Sequence, residues 1–428
     1  MLASRSLGLL ALLVAVSASS QAQDDPALVE RAQKIHAKAI KIDTHVDFQP
    51  AMMTSALSNY ATGIERNQVD LPKMEKNGLD AVFFSIYVAQ RQDFSDSGYA
   101  KAMAADVEKF EAVRNLVDKL APARIDPAYS VADIRRINRA HKKIALMGVE
   151  NGYAIGTDVT NVKKLYDYGA RYLSLTHDGH NQLSDSNSGE TDGVWRWNGL
   201  SPLGRQVVQE ANRLGIMMDI SHPSKASNLQ VMAMSRAPVI ASHSGVRALC
   251  DRSRNLDDEQ LLALKKNGGV VQLVALSNFV KTPPPDSPER TAAIAELRQQ
   301  SGMGGGRTGG QRAAGAPRSD SAMAVYRQKL AAIDAKFPPA PRANVKDYVD
   351  GIDYVVKLIG IEHVGIASDF DGGGGVVGYT NASESFNVTL ELVRRGYGEK
   401  DIIDMWGGNL LRVMAQVEKV AKQIQSEK

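Results

Sequence analysis

The stretch Ala39-Ile-Lys-Ile-Asp43-Thr-His-Val-Asp47 joins a short apolar run to two side chains of the kind that bind metals, His45 and Asp47. Seven further short runs rich in β-branched or aromatic residues follow it, separated by longer stretches of helical character. Such runs are typical of parallel strands that are buried on both faces. The eight predicted strands are 39–43, 81–88, 144–149, 172–175, 216–220, 238–241, 270–276 and 364–367.

Amphipathic helices are predicted between these strands, several of them opened by a Ser, Asp or Asn N-cap. Examples are residues 131–141, 162–168, 202–214 and 256–266. A strand that alternates with a helix eight times predicts an α/β fold with a parallel sheet, and eight units close into a (β/α)8 TIM barrel. An open, doubly wound sheet is the alternative that the pattern leaves open. His36 and His141 fall in helical segments and are interpreted as surface residues.

The composition is that of an ordinary globular protein. The 428 residues are 43% hydrophobic and 23% charged, which excludes disorder for most of the chain. The formal net charge is +3 and no run of Lys and Arg occurs, so a nucleic-acid partner is not expected. Cys250 is the only cysteine, so an intrachain disulfide is impossible. Because barrels with loop insertions reach this length, we expect residues 23–428 to form a single barrel domain.

The N-terminus has the pattern of a signal peptide, predicted as residues 1–22. Arg5 supplies the positive charge, residues 7–16 the apolar segment and Ser20-Gln-Ala22 the cleavage site. A membrane anchor is the alternative, but the apolar segment is shorter than the roughly 18 to 20 residues that span a bilayer. Because the C-terminus is polar, we do not expect a glycolipid-anchor tail. We therefore expect an exported chain that begins at Gln23 and is soluble in the periplasm or outside the cell.

Residues 281–341 interrupt the alternation of strands and helices. The segment contains three prolines at 283–285, a glycine-rich run at 302–310 and a further Pro-rich stretch at 338–341. Such a composition does not pack as core, and within it residues 321–335 predict a helix. Because the insertion follows the seventh predicted strand, we expect it on the carboxyl-terminal face of the barrel, either as a lid or as a disordered surface segment.

Five metal-binding side chains fall at or just beyond the carboxyl ends of four predicted strands, the end at which barrel active sites lie. They are His45 and Asp47 after the first strand, Glu150 after the third, His222 after the fifth and His243 after the sixth. Residues two apart in an extended segment point the same way, so His45 and Asp47 can bind one ion together. Imidazole nitrogen and carboxylate oxygen suit Zn²⁺, and Glu150 can bridge two ions with both oxygens. A lone His is more often a hydrogen-bonded buried residue, so the prediction of two zinc ions per subunit depends on the convergence of all five.

Two ions about 3.5 Å apart hold a hydroxide and polarise a carbonyl, so the predicted chemistry is hydrolysis on a barrel of the metal-dependent hydrolase type. His177, at the end of the fourth predicted strand, is expected to stabilise an oxyanion. Asp369, beyond the eighth strand, is expected to move a proton, and Asp371 is predicted to be a turn residue. Arg252 and Arg254 are equal candidates for binding a substrate carboxylate, unless both are solvated loop residues.

Segments spread over the mature sequence resemble the membrane dipeptidase (renal dipeptidase) family of zinc peptidases, here as a bacterial exported member. The segments that carry the resemblance are Asp43-Thr-His-Val-Asp47, Val69-Asp-Leu-Pro-Lys-Met74, Phe83-Phe-Ser-Ile-Tyr87, Gly148-Val-Glu150, Leu173-Ser-Leu-Thr-His177 with Asn181, Gly199-Leu-Ser-Pro-Leu-Gly-Arg205, Asp219-Ile-Ser-His222, Ser242-His-Ser244, Arg254-Asn255 and Gly365-Ile-Ala-Ser-Asp-Phe-Asp-Gly372.

The resemblance implies a distribution of the ligands over two zinc ions. His45 and Asp47 would bind one ion, His222 and His243 the other, and Glu150 would bridge them. It also implies the cleavage of free dipeptides, often with tolerance of a D-residue at the C-terminal position, and a homodimer.

The resemblance further assigns three residues that contact the substrate. His177 would contact the substrate carbonyl, Arg254 the terminal carboxylate, and Asp369 would handle the proton. Arg254 is chosen over Arg252 because the substrate arginine of the family directly precedes an Asn, as Arg254 does here.

The chain departs from the pattern of the family at three places. Asp178 stands where many relatives have an Asn after Thr-His, and Gly351 stands where many have a His. Neither position is a ligand. The insertion at 281–341 is the larger departure because it can reshape the substrate pocket.

Two other functions stay open on the sequence. Another dinuclear barrel amidohydrolase, such as an N-acyl-amino-acid deacylase or a lactonase, would use the same ions on a different carbonyl. The fourth predicted strand offers no metal-bridging Lys of the kind that several of those enzymes have, and Glu150 takes that role. A non-catalytic exported binding protein would keep the barrel without the chemistry, but the complete ligand set argues against it. The function predicted first is a zinc-dependent dipeptidase.

Overall fold

The computed structural model describes residues 25–301 and 320–427. The predicted signal peptide at 1–22 and the glycine-rich run at 302–310 lie outside the described residues. Within the described part of the chain, no helix combines the length and the apolar character that crossing a membrane requires.

One parallel sheet organises the chain. Its strands are β1 (Ile42–Val46), β2 (Ala81–Tyr87), β3 (Ile125–Pro127), β4 (Lys143–Glu150), β5 (Ala170–Ser174), β6 (Met217–Asp219), β7 (Ile240–Ser244), β8 (Val270–Val274) and β9 (Val364–Ala367). The order is β1-β2-β4-β5-β6-β7-β8-β9, with β3 paired to β4. Val46 forms a parallel bridge with Phe370, just beyond β9, and the Asp47 N–H donates to the Phe370 carbonyl at 2.9 Å. The sheet therefore closes into a nearly complete eight-stranded barrel, which confirms the predicted fold and excludes the open sheet.

Each predicted strand overlaps a strand of the sheet. The prediction differs from the structure in the bounds of the first strand and in the absence of β3. β1 begins at Ile42 rather than at Ala39 and continues through His45, because the rim of the barrel accepts polar side chains within a strand. β3 was not predicted, since three residues that include a proline give no periodic signal. It pairs with the first half of β4, whereas the second half of β4 pairs with β5.

Helices surround the barrel. In the described residues they are α1 (Pro26–Lys38), α2 (Leu71–Glu75), α3 (Asp96–Asn115), α4 (Val131–Arg139), α5 (Asn161–Tyr168), α6 (Gly189–Asp192), α7 (Pro202–Leu214), α8 (Lys225–Met234), α9 (Asp258–Asn267), α10 (Ser277–Val280), α11 (Pro288–Gln300), α12 (Asp320–Lys336), α13 (Val345–Ile359), α14 (Phe386–Arg394), α15 (Glu399–Ile403) and α16 (Asn409–Ser426). Short 3-10 or π-helical turns occupy Pro50–Met53, Leu116–Leu120, Gly152–Ile155, Ile361–His363, Ala382–Glu384 and Asp404–Gly408.

The four helices predicted between strands are confirmed as α4, α5, α7 and α9. α7 matches at both ends because its sequence carries clear boundary signals. The Ser201 hydroxyl accepts from the Gly204 N–H at 2.9 Å at its start, and Gly215 adopts the left-handed conformation at its end. α4 stops before His141, which is exposed as predicted but lies beyond the helix.

Apolar side chains fill the barrel below its carboxyl-terminal rim. Phe83, Leu146, Tyr172 and Met217 belong to one buried cluster that also contains residues of α4 and α16. Burial of one such side chain contributes about 1.5–3 kcal/mol. Because the interior is packed rather than hollow, the chemistry of the barrel is confined to the rim.

His36 lies inside the fold, so its prediction as a surface residue was wrong. Its Nδ1 is 2.7 Å from Thr389 Oγ1 and its Nε2 is 3.1 Å from the carbonyl oxygen of Asn77. The rings of Phe386 and Trp406 meet the imidazole edge-on. The face of α1 that carries His36 packs against α14, a contact that the helical pattern of α1 by itself does not specify.

The insertion carries two helices that contact each other, α11 and α12. Arg290 links them by donating to Asp286 Oδ1 at 3.0 Å, to Asp334 Oδ1 at 2.7 Å and to the Phe337 carbonyl at 2.9 Å. α12 confirms the predicted helix at 321–335, whereas α11 was not predicted. The interpretation of the insertion as a lid stays a prediction.

Candidate metal centre

The five predicted metal ligands meet at the carboxyl-terminal rim of the barrel. His45 lies in β1, Asp47 directly follows that strand, Glu150 ends β4, His222 follows β6, and His243 lies in β7. Four of them are buried and Asp47 is partly exposed. Parallel strands deliver their carboxyl ends to the same rim, which is why residues so far apart in sequence come together.

Glu150 lies between the other four ligands, with one oxygen directed at each pair. Its Oε2 is 3.3 Å from His45 Nε2, and its Oε1 is 2.9 Å from His222 Nε2 and 3.7 Å from His243 Nε2. His45 Nε2 is 3.6 Å from Asp47 Oδ2. His222 Nε2 and His243 Nε2 are 3.1 Å apart. The ligands thus form two pairs that share the Glu150 carboxylate.

These separations fit metal coordination. Two ligand atoms bound to one Zn²⁺ at about 2.0–2.1 Å in tetrahedral geometry lie roughly 3.3 Å apart. The distances within the two pairs are 3.6 Å for His45 with Asp47 and 3.1 Å for His222 with His243. Nitrogen and carboxylate donors of this kind suit zinc. The residues present therefore fit two divalent cations, one at each pair, with Glu150 between them.

Tyr172 supports His45 from inside the barrel. The Tyr172 hydroxyl lies 2.9 Å from His45 Nδ1, and such a contact fixes the orientation of a ligand imidazole. The Tyr172 ring lies against Gly148 of β4, where a Cβ atom would overlap it. Gly148 therefore lets this ring reach the metal centre.

Asp219 organises the second pair through hydroxyl groups. It accepts from the Ser242 N–H at 2.8 Å, from the Ser242 hydroxyl at 2.6 Å and from the Ser221 N–H at 3.1 Å. The Ser242 oxygen lies 2.8 Å from His243 Nδ1. A hydroxyl that donates to Asp219 accepts from the Nδ1–H of His243, which leaves Nε2 of that ring deprotonated and directed at the centre.

Neither Tyr172 nor Asp219 was singled out from the sequence as a support of the ligands. Tyr172 lies on a predicted strand and Asp219 in the motif Asp219-Ile-Ser-His222, but their contacts run between strands. The signal that could have found them is a polar residue at an inward-facing strand position.

Electrostatics favour the protonation states that metals require at two of the ligands. Burial acts to raise the pKa of Glu150, but His45 and His222 beside it hold that pKa well below its ordinary range. Burial and the neighbouring His45 lower the pKa of His243. Burial acts to lower the pKa of His45, but Tyr172 and Glu150 raise it above its ordinary value, so a cation at this ring competes with a proton.

His177 lies directly beside the ligands, as predicted. Its ring centroid is 4.2 Å from that of His222 and 4.8 Å from that of Tyr87, and its Nε2 is 3.7 Å from Glu150 Oε1. Burial and the neighbouring His222 lower the pKa of His177 to about 4, so this imidazole is neutral at pH 7. A neutral imidazole at this position can donate a hydrogen bond to a carbonyl oxygen. Tyr87, which ends β2, was not predicted as a neighbour of the centre.

Asp369 emerges at the rim beyond β9, as predicted. Its Oδ1 is 4.0 Å from His45 Nε2, and its backbone is left-handed with φ 57°, which is uncommon for a residue with a side chain. Burial raises its pKa well above the ordinary value, and the carboxylates of Asp47 and Glu150 act in the same direction. A Cβ atom at position 372 would overlap Asp47 Oδ2 and Asp369 Oδ1, so Gly372 provides the space for both carboxylates.

Asp371 has a role in the turn after β9. Its two carboxylate oxygens accept from the backbone N–H groups of Gln68 at 2.8 Å and Val69 at 3.1 Å. These contacts agree with its prediction as a turn residue.

Arg254 and Arg252 are separated by their burial. Arg254 is buried and donates to Ser244 Oγ at 3.1 Å and to the His243 carbonyl at 3.0 Å, whereas Arg252 is exposed. The two contacts of Arg254 occupy two of its five N–H donors. Of the two arginines, Arg254 is therefore the one that is held at the metal centre.

Comparison with known proteins identifies the family of the chain. The family model for membrane dipeptidases, peptidase family M19, matches residues 29–428. The chain is 31% identical to dipeptidase aclJ of Aspergillus oryzae over 362 residues, which are 83% of this chain and 72% of that protein. It is 28% identical to dipeptidase 3 of Rattus norvegicus over 404 residues, which are 92% of this chain and 69% of that protein.

Solved structures show the same fold. The probable dipeptidase PvdM from Pseudomonas aeruginosa aligns with a TM-score of 0.76 and 31% identity, over 92% of this chain and 99% of that one. A metallopeptidase from Rhodobacter sphaeroides, liganded with a phosphinate mimic of the dipeptide L-Ala-D-Ala, aligns with a TM-score of 0.66 and 20% identity, over 89% and 99%. The chain therefore belongs to the membrane dipeptidase family, peptidase family M19, whose members are metallopeptidases.

Proposed function

We propose that the protein is a zinc-dependent dipeptidase that hydrolyses the peptide bond of free dipeptides, of both the L-Xaa-L-Xaa and the L-Xaa-D-Xaa type. The observation that carries the proposal is the position of Glu150, whose two oxygens face separate ligand pairs. The family match supports dipeptides as the substrate class. L,D-dipeptides are included because the similarly folded metallopeptidase from Rhodobacter sphaeroides is liganded with a mimic of L-Ala-D-Ala.

Two zinc ions held by these residues would lower the pKa of a water molecule and polarise the substrate carbonyl. Asp369 lies across from His45 at the rim, in a position to take a proton from the attacking water and to pass it to the leaving amine. His177, neutral at pH 7, donates a hydrogen bond to the carbonyl oxygen and stabilises the negative charge that develops there.

Arg254 accounts for the choice of the peptide bond that is cleaved. Its guanidinium is buried beside His243 and keeps donors for the terminal carboxylate of the substrate, which it binds as a fork. A free C-terminus within reach of the metal centre requires that the scissile bond is the last one in the peptide. Substrates without a free carboxylate at this position are expected to react poorly.

A deacylase or lactonase would use the same cations, but several of those enzymes bridge them with a Lys. The lysines near the centre therefore help to decide between these functions and a dipeptidase. Lys109 of α3 is buried beside the centre, but its Nζ contacts the carbonyl oxygens of Phe48 at 3.5 Å and Ser85 at 3.4 Å. The bridging position belongs to Glu150. This arrangement favours the dipeptidase.

The test is an assay of the purified protein, residues 23–428, after loading with zinc and measurement of its metal content. The substrates are a panel of L,L- and L,D-dipeptides, and the controls are tripeptides, dipeptide amides, N-acetylated dipeptides and N-acetyl amino acids. We expect turnover of the free dipeptides alone. Failure on the whole dipeptide panel with both ions bound rejects the proposal, and turnover of N-acetyl amino acids instead would assign a deacylase.

We propose in addition that the protein is exported, is soluble in the periplasm or outside the cell, and is a homodimer. Export is supported by Arg5, the apolar residues 7–16 and the cleavage pattern Ser20-Gln-Ala22. The homodimer is an inference from the family. N-terminal sequencing of protein from the periplasm or medium should give Gln23 as the first residue, and light scattering should give twice the chain mass. An intact N-terminus would contradict export with cleavage, and the mass of a single chain would contradict the homodimer.

A further inference from the structure

The three ligand imidazoles differ in what supports their outer nitrogen. Two of them have a hydroxyl within 2.9 Å of Nδ1. His222 Nδ1 is buried and has no hydrogen-bond partner among the described residues. One acidic group does face it, the carboxylate of Asp178, whose Oδ1 is 3.7 Å away.

Metal binding fixes where the proton of this ring resides. When Nε2 of a neutral imidazole holds a cation, Nδ1 carries the hydrogen. A buried N–H group without an acceptor is unfavourable, so His222 needs a partner on its outer side. The Asp178 side chain is 49% exposed, and a small rotation of its carboxylate would bring an oxygen within hydrogen-bond distance of Nδ1.

The backbone next to Asp178 and at His222 is held in place, which keeps the Asp178 carboxylate near the His222 ring. The carbonyl of His177 accepts from the Ser186 hydroxyl at 2.6 Å. The carbonyl of His222 accepts from the Asn187 N–H at 3.0 Å and from its side-chain amide at 2.9 Å. The loop at 186–187 thus ties both segments together.

We infer that Asp178 is a positioning residue for His222, and that its carboxylate accepts a hydrogen bond from the Nδ1–H of this ring when Nε2 binds a metal. The inference rests on the proposed two-metal function. A carboxylate partner orients a ligand imidazole and strengthens it as a donor more than a hydroxyl does. The ion at His222 and His243 is therefore bound more tightly than it would be with a neutral partner. An Asn at this position would accept the same hydrogen bond without the charge.

The test measures metal affinity of the apo protein, independently of catalysis. Chelator competition gives the affinity for each of two equivalents of Zn²⁺ in the wild type, Asp178→Asn and Asp178→Ala. We expect one equivalent to weaken by about 10- to 100-fold in Asp178→Ala and by less in Asp178→Asn, and the other to stay unchanged. When the proteins are loaded with Co²⁺ instead, the absorption bands of only one of the two ions should differ between Asp178→Ala and the wild type.

Asp167→Ala is the matched control. Asp167 has a similar side-chain exposure of 54% and pairs with Lys163 on α5. We expect it to bind both equivalents as the wild type does, and thermal unfolding of the apo variants checks that each is folded. If Asp178→Ala does not fold, Asp178→Asn carries the test.

The outcomes separate this inference from the proposed function. A wild type that binds fewer than two equivalents overturns the two-metal proposal, and with it the inference. If Asp178→Ala binds both equivalents of Zn²⁺ with wild-type affinity, the inference is overturned but the two-metal proposal is not. A weakened equivalent that Asp178→Asn partly restores supports it.

Discussion

Two groups of buried histidines in this molecule differ in where their ring nitrogens point. At His36 both nitrogens contact the fold itself, the hydroxyl of Thr389 and the carbonyl of Asn77. At the rim of the barrel, the Nε2 atoms of three histidines converge on Glu150. A structural histidine is satisfied by the protein, whereas a ligand histidine keeps one nitrogen directed at other ligands.

The difference also concerns charge. The surroundings of His36 include two aromatic rings, and both hydrogen-bond partners of its ring are neutral groups. At the rim, Nε2 atoms of four histidines, the three ligand histidines and His177, lie within 3.7 Å of the oxygens of Glu150. Asp47 and Asp369 lie near His45. Several imidazoles and several carboxylates so close together are typical of functional sites, which are often less stable than the rest of a fold. Substitutions in the two regions should therefore have different consequences.

The largest effect is expected from Asp369→Asn. An amide of the same shape cannot take up or deliver the proton, so kcat on dipeptides should fall by about 10²- to 10⁴-fold. The metal content should remain at two ions, because Asp369 is not among the ligands. Steady-state kinetics together with elemental analysis measure both. A variant that keeps wild-type kcat would remove Asp369 from proton transfer.

His36→Gln tests the structural side of the comparison. Burial, aided by the charge of Lys41, lowers the pKa of His36 to about 4. The unfolded chain takes up a proton near pH 6.5 and the folded protein near pH 4, so the free energy of unfolding decreases as pH falls through this window, by about 3 kcal/mol in total. Denaturant unfolding of the apo forms between pH 7.5 and 4 should show a smaller decrease for His36→Gln.

That prediction has a clear counter-result. If the free energies of unfolding of wild type and His36→Gln fall in parallel over this pH range, His36 is not the group that titrates. The dipeptidase activity of folded His36→Gln at pH 7.5 should equal that of the wild type, because His36 lies outside the metal centre.

Arg254→Ala should act on substrate binding. Hydrogen bonds to charged groups contribute about 1.5–3 kcal/mol, so KM should rise by about 10- to 100-fold while the metal content stays constant. Arg252→Ala is the matched control, because Arg252 belongs to the same loop but is exposed. Equal KM values for wild type and Arg254→Ala would exclude Arg254 from the site.

The smallest effect is expected at Gly351, inside α13. The position lies outside the metal centre. A Cβ atom would meet only Leu273 Cδ1 at 3.8 Å and Val246 Cγ2 at 3.9 Å, which are ordinary contacts. Gly351→Ala should raise the free energy of unfolding by about 0.5–1 kcal/mol, because alanine loses less backbone entropy in a helix. Thermal unfolding and activity should show a higher Tm and an unchanged kcat/KM.

The sequence predicted the barrel and the convergence of the ligands because both follow from strand order. His45, Glu150 and His243 lie at or near strand ends, and a parallel barrel places all such ends on one rim. The short strand β3 and the helix α11 were not predicted, because neither carries a periodic apolar pattern.

Side-chain contacts between different helices and strands could not be predicted from the sequence. His36 was misassigned because its burial depends on α14, which is remote in the chain. The contacts of Tyr172 with His45 and of Asp219 with Ser242 depend on which strands are neighbours and on register. A residue pattern gives the type of a side chain and its local direction, but these partners are set by the closed sheet.

The central claim, that Glu150 joins two metal positions, is tested most directly by anomalous diffraction at the zinc absorption edge from crystals of zinc-loaded protein. We predict two peaks, one beside His45 and Asp47 and one beside His222 and His243, with an oxygen of Glu150 bound to each. A single peak, or two peaks of which Glu150 contacts only one, would contradict the account.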